Sequence, residues 1–299
     1  MRNMELIQGI IVKAIAGFYY VEAGEKIIEC KSRGIFRKSG ISPIVGDYVK
    51  IFVDENSKGV IEELLPRKNC LERPPVANID RLFIVSSAAE PRPNTLVIDR
   101  LMAIAEDNGI EPVIVINKND LADASWLKEI YETTGVETIM VCCKTGDGIE
   151  ELKEKLIGHL NVFTGNSGVG KSSILNLIDS RLGIPTGEIS EKLGRGKHTT
   201  RHTQLYKISN GGYVADTAGF SSIDMEKANF ICKENLQFAF REFLPYIGSC
   251  KFCSCSHTCE KGCVICKEVE NGIIHKSRHE NYITLYKEAE EIKDWERKK

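Results

Sequence analysis

Between Gly9 and about Lys68 the hydrophobic pattern is that of short β-strands. Apolar and polar residues form five runs separated by glycine and polar turns: GIIVKAIAGFYYV, KIIEC, GIFRK, GDYVKIFV and GVIEEL. About five short strands in a stretch of this length are typical of a small barrel or sandwich. Many such barrels bind RNA or single strands, although a plain packing module has the same pattern.

The pattern changes after Cys70. Arg73, Pro74, Pro75 and Val76 predict a stiff, extended connection, because consecutive prolines disfavour helix. We therefore place a domain boundary near Cys70, with a small β-barrel over residues 1–70; the family resemblance described below implies that this barrel is oligonucleotide-binding-like (OB-like).

Buried strands then alternate with amphipathic helices. Strands are expected at RLFIVSS, PVIVINK, ETIMVCC, NVFTG and GYVADT, and helices at about 96–108, 125–134, 149–157 and after 171. This alternation predicts a mostly parallel sheet with helices on both faces. Ligands of such sheets bind at the carboxyl ends of the strands. Residues 71–223 are thus expected to form a central, doubly wound α/β domain.

After about Ile223 the pattern becomes helical. It is interrupted by a group of cysteines and ends in a helix that carries six residues at the spacing of one face: Tyr282, Leu285, Tyr286, Ala289, Ile292 and Trp295. Residues 224–299 are predicted to form a helical third domain, so the whole chain is a multidomain α/β protein. A length of 299 residues fits two or three domains.

Composition narrows the class of protein. No apolar run reaches the roughly 18 residues of a membrane helix, and the start MRNMELIQGI lacks the apolar core of a secretory signal. We expect a cytoplasmic protein without a membrane partner. The net charge of −2 does not indicate nucleic-acid binding, so any such surface would have to be a local basic patch.

Six of the 11 cysteines fall within Cys250–Cys266. Because thiols stay reduced in the cytoplasm, this group indicates metal ligands and not disulfides.

A phosphate-binding loop is the strongest motif. The eight residues from Gly165 fit G-x-x-x-x-G-K-[ST], follow an apolar strand and lead into the helical run SILNLI. We expect the phosphates to be held by Gly165, Asn166, Ser167, Gly168, Val169, Gly170, Lys171, Ser172 and Ser173. The glycines let backbone N–H groups converge, Lys171 neutralises oxygens and Ser172 can ligate magnesium. A glycine-rich turn that serves packing alone is the weaker alternative.

Two further motifs complete a guanine-nucleotide site. Asp216-Thr-Ala-Gly219 ends a strand, where the aspartate can hold the magnesium shell and the Gly219 N–H can contact a γ-phosphate. Asn117, Lys118, Asn119 and Asp120 end another strand, and the Asp120 carboxylate can accept two hydrogen bonds from the guanine edge. Adenine lacks that pair of donors. Either tetrapeptide alone would be weak, but together with the phosphate loop they predict GTP and GDP as ligands.

The order of these motifs is permuted. The base-reading motif comes first, followed by Cys142-Cys143-Lys144, the phosphate loop and D-x-x-G, whereas in an ordinary GTPase the base reader comes last. A parallel sheet tolerates this order if the ancestral chain ends lay close together. The chain resembles the circularly permuted GTPases, and across nearly its whole length it is similar to the ribosome small-subunit-dependent GTPase A family. The resemblance rests on the N-terminal barrel, RPPVANID, NKND, GNSGVGKS, GRGKHTT, DTAGF and the C-terminal cysteines.

This resemblance carries functional expectations. It implies that the barrel is of the oligonucleotide-binding type and that the protein assists late maturation of the small ribosomal subunit. The expected partners are GTP or GDP, the small subunit and its rRNA, and the protein is expected to be a monomer. One departure is CCK at 142–144, where the family has a Ser-Ala-Lys-like loop. Cys143 and Lys144 are still expected to border the base.

The stretch from Gly194 to His202 fits a mobile switch with glycine hinges, basic residues and two threonines. The resemblance favours Thr200 over Thr199 as the magnesium ligand of the GTP state. A solvated basic loop that contacts RNA phosphates is the alternative, and both roles can coexist. Phe220 follows D-T-A-G, where many GTPases carry a glutamine that orients water. Hydrolysis should therefore be slow alone, and either a partner or His198 supplies the missing group. His198 could equally contact RNA or serve the structure.

Seven residues of the tail could ligate a tetrahedral zinc ion, which needs four: Cys250, Cys253, Cys255, His257, Cys259, Cys263 and Cys266. Spacing alone favours two C-x-x-C pairs, Cys250/Cys253 and Cys263/Cys266. The resemblance implies instead Cys250, Cys255, His257 and Cys263, and we adopt that set. Four sulfur or nitrogen ligands close the site to substrate, so the zinc is expected to be structural.

The leading hypothesis is a magnesium-dependent GTPase that is stimulated by the small subunit and hydrolyses GTP to GDP and phosphate. An RNA-binding assembly factor in which the nucleotide is a structural ligand is the alternative, against which the intact Lys171, Ser172, Thr200 and Asp216 argue. A zinc-dependent hydrolase is disfavoured by the closed ligand set.

Overall fold

The N-terminal strands close into a barrel. The computed structural model describes residues 6–34, 36, 40–55, 57–184, 203–209, 211–216 and 231–291. The barrel strands are β1 (Ile7–Ile15), β2 (Phe18–Ala23), β3 (Lys26–Ser32), β4 (Tyr48–Val53) and β5 (Gly59–Leu64). They pair in the order β1-β2-β3-β5-β4, and β4 returns to β1. Val21, Val49, Ile51 and Ile61 are fully buried inside. The predicted N-terminal barrel is confirmed.

Three details of this region differ from the sequence prediction. The first apolar run is a hairpin, β1 and β2, that turns at Ala16 and Gly17. In the run GIFRK the described residues Gly34 and Phe36 are helical, because so short an apolar run fits one turn of helix as well as a strand. Residues 72–75 form a turn between β6 (Cys70–Leu71) and β7 (Val76–Ala77), since prolines favour turns as well as extended chain.

The central part is a doubly wound sheet. Its strands are β8 (Arg81–Ser87), β9 (Glu111–Asn117), β10 (Glu137–Met140), β11 (Leu160–Thr164), β12 (Gln204–Lys207) and β13 (Tyr213–Asp216). Its helices are α1 (Thr95–Asp107), α2 (Ser125–Glu132), α3 (Ile149–Leu156) and α4 (Lys171–Ile178). The strand order is β10-β9-β8-β11-β13-β12, and β12 alone among these runs antiparallel. Helices α1 and α2 pack in one apolar cluster and α3 and α4 in another, so both faces are covered. This confirms the predicted architecture.

The barrel and the central sheet share one set of hydrogen-bonded strands. Lys13 of β1 pairs with Gln204 of β12, which joins the two into a sheet of eleven strands. The Tyr213 hydroxyl donates to Glu22 of the barrel at 3.0 Å. The strand that precedes D-x-x-G is therefore held between the phosphate-loop strand on one side and a strand that reaches the barrel on the other.

The tail is helical and packs on α1. It contains α5 (Lys233–Leu236), 3-10 turns at Gln237–Ala239 and Arg241–Tyr246, α6 (Val264–Glu270) and α7 (Lys276–Glu291). The predicted apolar face of the last helix is confirmed at Tyr282, Leu285 and Ala289, which are buried, while Ile292 and Trp295 lie outside the described residues.

A buried ion pair joins this tail to the central sheet domain. The Arg278 side chain is 1% exposed and lies 2.6 Å from Asp99 of α1 and 2.7 Å from Glu242. The Tyr131 hydroxyl and the Asn281 amide donate to the same Asp99 carboxylate, at 2.8 and 2.7 Å. A charge this deep needs all of these partners, because an unpaired buried ion costs several kcal/mol.

The division at residues 70 and 223 stays a prediction, since residues 217–230 lie outside the described part of the chain. Within the described residues, no helix is long and apolar enough to span a membrane.

Candidate guanine-nucleotide site and metal cluster

The phosphate-loop residues form a tight turn between β11 and α4. Gly165 has φ +143°, and a Cβ there would lie 2.2 Å from the Val85 carbonyl oxygen of the neighbouring strand. Gly170 has φ +98°, and a Cβ there would lie 2.2 Å from the Asn117 side-chain nitrogen. Both positions therefore require glycine, for backbone conformation and for space. Helix α4 begins directly after this turn, so its unpaired N–H groups face the loop.

The Lys171 ammonium lies over the loop that precedes it. It donates to the carbonyl oxygens of Gly165 and Asn166 at 2.6 and 2.8 Å. Burial lowers the pKa of this ammonium to about 8. A phosphate at this place would offer Lys171 a counter-charge that the two carbonyl groups do not, so the geometry suits an anion.

Asn117 and Lys118 tie the base-reading segment to the phosphate loop. The Asn117 amide donates to the Val169 carbonyl at 2.8 Å, and it also hydrogen-bonds the Cys143 thiol. Lys118 has φ +64° and donates to the carbonyls of Gly168 and Glu90 at 2.8 and 2.6 Å. Parallel pairing of β8 with β9 and with β11 brings these segments to one edge of the sheet. The structure thus joins two motifs that are about 50 residues apart in sequence.

The outer rim of this edge is polar. Asp120 and Lys144 are exposed, and Asn119 and Cys143 are half-buried. Burial raises the pKa of the Cys143 thiol, so this group is a neutral neighbour at physiological pH. The Asn117 side-chain oxygen is buried and has no hydrogen-bond partner among the described residues. A ligand that carries a hydrogen-bond donor could satisfy it.

The D-x-x-G strand ends beside the phosphate loop. β13 pairs in parallel with β11, with Ala215 opposite Val162, which brings the Asp216 backbone to the edge where the loop starts. Ser172 and Ser173 lie in the first turn of α4. Three predicted residues, His198, Thr200 and Gly219, lie outside the described residues, as do Thr199 and Phe220.

One segment of this site was missed by the sequence analysis. The loop after β8 lies against both motifs. The Glu90 carbonyl accepts a hydrogen bond from Lys118, and a Cβ added at Gly168 would lie 3.7 Å from the Pro91 ring. Its sequence, AAEPRPN, has no known phosphate or base pattern. The signal that could have found it is its position after a central strand, where the carboxyl edge of the sheet binds ligands.

A second site lies in the tail. The ligand atoms of Cys250, Cys255, His257 and Cys263 all lie within 4.8 Å of one another, so this cluster could hold a metal ion. The His257 Nδ1 atom is 3.6 Å from the Cys250 sulfur and 3.5 Å from the Cys263 sulfur, and the two sulfurs are 3.9 Å apart. A tetrahedral zinc with Zn–S near 2.3 Å and Zn–N near 2.05 Å requires S···S of about 3.8 Å and S···N of about 3.6 Å. The three separations among Cys250, His257 and Cys263 fit these values, and the Cys255 sulfur lies within 4.8 Å of the other ligand atoms.

Backbone N–H groups and neighbouring side chains support this cluster. The Val264 and Cys266 amides donate to the sulfurs of Cys250 and Cys263, at 3.4 and 3.5 Å. Cys253 and Cys259 are exposed, and the Cys266 sulfur lies 3.9 Å from the His279 ring. The structure therefore brings together the four residues that the family resemblance implied, while the paired C-x-x-C alternative needs Cys253, which faces solvent.

Two protein-family models match this chain, one over its central part and one over its N-terminal barrel. The family model for the RsgA GTPase matches residues 64–226, and the family model for the RsgA N-terminal domain matches residues 8–61. The chain belongs to the RsgA GTPase family. It is therefore a GTP-hydrolysing enzyme, and magnesium accompanies its GTP.

Members of the RsgA GTPase family align over nearly the whole chain. A protein of Caldanaerobacter subterraneus subsp. tengcongensis named "Small ribosomal subunit biogenesis GTPase RsgA" is 45% identical over 96% of this chain and 97% of its own. A protein of the same name from Clostridium acetobutylicum is 46% identical over 93% and 96%.

Two solved structures are similar to this chain over nearly its whole length. The crystal structure of YjeQ from Thermotoga maritima has a TM-score of 0.79 and 37% identity, and covers 97% of this chain and 100% of that one. YloQ, described as a circularly permuted GTPase, has a TM-score of 0.80 and 32% identity over 98% of each chain. The predicted family and permuted GTPase fold are confirmed.

Proposed function

We propose that this GTPase acts in the biogenesis of the small ribosomal subunit, binding the subunit and hydrolysing GTP as a checkpoint on late maturation. The observation that carries the proposal is the 45% identity, over 96% of the chain, to a protein named for that process. The barrel, which joins the β12 edge of the central sheet, and the Cys/His-bearing helical tail, which packs on α1, provide two surfaces for such a partner.

The nucleotide has a defined place in this proposal. Residues 165–173 hold the phosphates, Lys171 neutralises their oxygens, and Ser172 and Thr200 ligate magnesium with Asp216 in its outer shell. Asp120 reads the guanine edge, with Asn117, Lys118 and Cys143 beneath it. The clamp from Asn117 and Lys118 to the phosphate loop supports this arrangement, because it fixes the base reader relative to the phosphates.

The switch residues explain why a partner is needed. Phe220 carries no group that could orient water, so hydrolysis by the free protein is slow. The subunit, or His198 held in place by it, supplies the missing group. Gly219 contacts the γ-phosphate, and loss of this contact after hydrolysis alters the chain that leads into the tail.

The tail cluster holds one structural zinc ion in this proposal. The support is the clustering of the ligand atoms of Cys250, Cys255, His257 and Cys263 within 4.8 Å of one another, together with their soft, thiolate-rich chemistry. The separations among Cys250, His257 and Cys263 also suit a tetrahedral ion. Zinc would supply folding free energy to the segment 247–263, which contains no helix or strand.

Co-sedimentation of the protein with purified small subunits tests the function. A non-hydrolysable GTP analogue should tighten binding relative to GDP, and added salt should weaken it because rRNA phosphates are contacted. Equal binding in both nucleotide states would contradict the checkpoint. Analytical ultracentrifugation of the free protein checks the expected monomer.

A further inference from the structure

The side-chain amide of Gln237 has a fixed orientation. Its nitrogen donates to the Glu234 carbonyl at 3.3 Å, and its oxygen lies 3.0 Å from the Nε2 atom of His257. An amide nitrogen can only donate and a backbone carbonyl can only accept, so the reverse orientation would place two acceptors against each other. The amide oxygen of Gln237 therefore faces His257.

This orientation determines the tautomer of His257. Because the Gln237 oxygen can only accept, the proton of the neutral imidazole must reside on Nε2. The lone pair then lies on Nδ1, the atom that is 3.6 and 3.5 Å from the sulfurs of Cys250 and Cys263. A neutral ring with a free Nδ1 is the form that ligates a metal.

The backbone of His257 is held separately from its ring. The residue has φ +61°, and its carbonyl accepts from the His279 ring at 2.7 Å. The Phe243 ring packs edge-on against the imidazole, with 6.4 Å between centroids. Among the described residues, Gln237 supplies the hydrogen bond to the imidazole nitrogen that faces away from the cluster.

We propose that Gln237 is the positioning residue that fixes His257 in its metal-binding tautomer. The inference rests on the zinc site proposed above. A metal-ligating histidine commonly donates its other ring N–H to an acceptor of this kind, and loss of such a partner weakens metal binding roughly 10- to 100-fold.

The location of Gln237 gives the interaction a wider consequence. Gln237 follows α5, and this segment packs on α1 of the nucleotide domain, where the Asn235 amide donates to Asp107 at 3.2 Å. The side chain that hydrogen-bonds the His257 ring therefore belongs to the segment that packs the tail on α1. By linkage, any effect of this docking on metal affinity is matched by an equal effect of the metal on docking.

Zinc affinity of the full chain, measured by competition with a chromogenic chelator, tests the proposal. Gln237→Leu removes the acceptor and should weaken zinc binding roughly 10- to 100-fold. Gln237→Glu keeps the acceptor and should retain most of the affinity. Phe238→Ala, at an adjacent side chain that is 52% exposed, is the matched control and should bind as the unmodified protein does. Equal losses in Gln237→Leu and Gln237→Glu, or no loss in Gln237→Leu, would overturn the proposal.

Nitrogen chemical shifts of the histidine rings provide a readout that does not depend on the variants folding. In the unmodified zinc-bound protein, His257 should show a protonated Nε2 and a metal-bound Nδ1. Coordination through Nε2 would contradict the role of Gln237 while leaving the zinc site in place. Failure of the unmodified protein to bind zinc stoichiometrically would instead remove the zinc site itself.

Discussion

The phosphate loop and the Cys/His cluster solve the same problem, the binding of a charged ligand, in opposite ways. The loop is backbone placed by the core: β11 is entirely buried before it, and Gly165 and Gly170 allow neighbouring strands to approach. The cluster is four side chains in a segment with little regular structure, from Cys250 to Cys263. The core of the sheet holds the loop in place without a ligand. The Cys/His cluster, in contrast, is expected to need a bound ion to keep its structure.

The two ligands should therefore contribute differently to the free energy of unfolding. Removal of a phosphate contact should cost affinity and leave the fold intact, because the core of the sheet holds the loop. Removal of a metal ligand should cost the fold of the tail, since structural zinc contributes on the order of 10 kcal/mol in small domains.

Loss of a metal ligand should unfold the tail. Cys255→Ser and His257→Ala are expected to abolish protection of residues 231–291 in hydrogen exchange, because three ligands cannot hold the segment. Cys253→Ser and Cys266→Ser should be much milder, since neither side chain belongs to the cluster. The nucleotide domain of every variant should still bind GDP. Greater damage from Cys253→Ser than from Cys255→Ser would favour the paired C-x-x-C arrangement.

Asp120→Asn should change the base that is recognised. Two hydrogen bonds to a carboxylate are worth roughly 1.5–3 kcal/mol each, so GDP affinity should fall on the order of 100- to 10,000-fold. Preference should move toward xanthine nucleotides, whose edge offers an acceptor. Calorimetry with GDP, XDP and ADP checks this, and the melting temperature should change little because Asp120 is exposed. Equal affinity of the unmodified protein for GDP and ADP would refute the assignment of Asp120.

Gly170→Ala tests the shape of the loop. The added Cβ would meet the Asn117 amide nitrogen at 2.2 Å and break its hydrogen bond to Val169, so GDP affinity should fall roughly 10- to 100-fold. Gly158→Ala is the matched control, because Gly158 also has positive φ, +71°, but has no atom within 4 Å of the new Cβ. The control carries the backbone strain without the clash. Similar GDP affinity in the two variants would mean that the approach of Asn117 is unimportant.

The pH dependence of GDP binding tests Lys171. A phosphate favours the protonated, positively charged form of Lys171. Because the pKa of Lys171 is about 8 in the free protein, GDP affinity should be full well below pH 8 and should fall as pH rises through that value. The expected loss between pH 7 and pH 9 is about tenfold. Lys171→Arg keeps its charge over this range and should give a flat profile, whatever its absolute affinity. A flat profile in the unmodified protein would contradict the assigned role of burial.

The same contrast explains what could be predicted from sequence. The phosphate loop is eight consecutive residues between a strand and a helix, so both its residues and its placement followed from the pattern. The structure brings four of the seven candidate ligands together, whereas spacing alone favoured Cys253, which faces solvent. The family resemblance implied the set that lies together. The strands and helices of the central domain and its mostly parallel sheet followed from the alternating pattern. The pattern also predicts a strand at GIFRK, where Gly34 and Phe36 are helical, because a five-residue run has no clear period.

Contacts between distant segments had no sequence signal. Arg278, Asp99 and Glu242 are charged residues that would be assigned to the surface, yet all three are nearly or fully buried in the joint between the tail and α1. Gln237 and the Glu90 carbonyl likewise act through partners at least 20 residues away. Such pairs are determined by tertiary packing, which composition and periodicity do not encode locally.

GTP turnover with and without purified small ribosomal subunits is the decisive measurement of the proposed checkpoint function. Single-turnover hydrolysis should be slow for the free protein, since Phe220 replaces the water-orienting glutamine, and saturating subunits should raise it at least tenfold. Lys171→Ala should remove turnover under both conditions. Turnover that is indifferent to subunits, with equal subunit affinity in the GTP and GDP states, would contradict the account and leave an isolated GTPase.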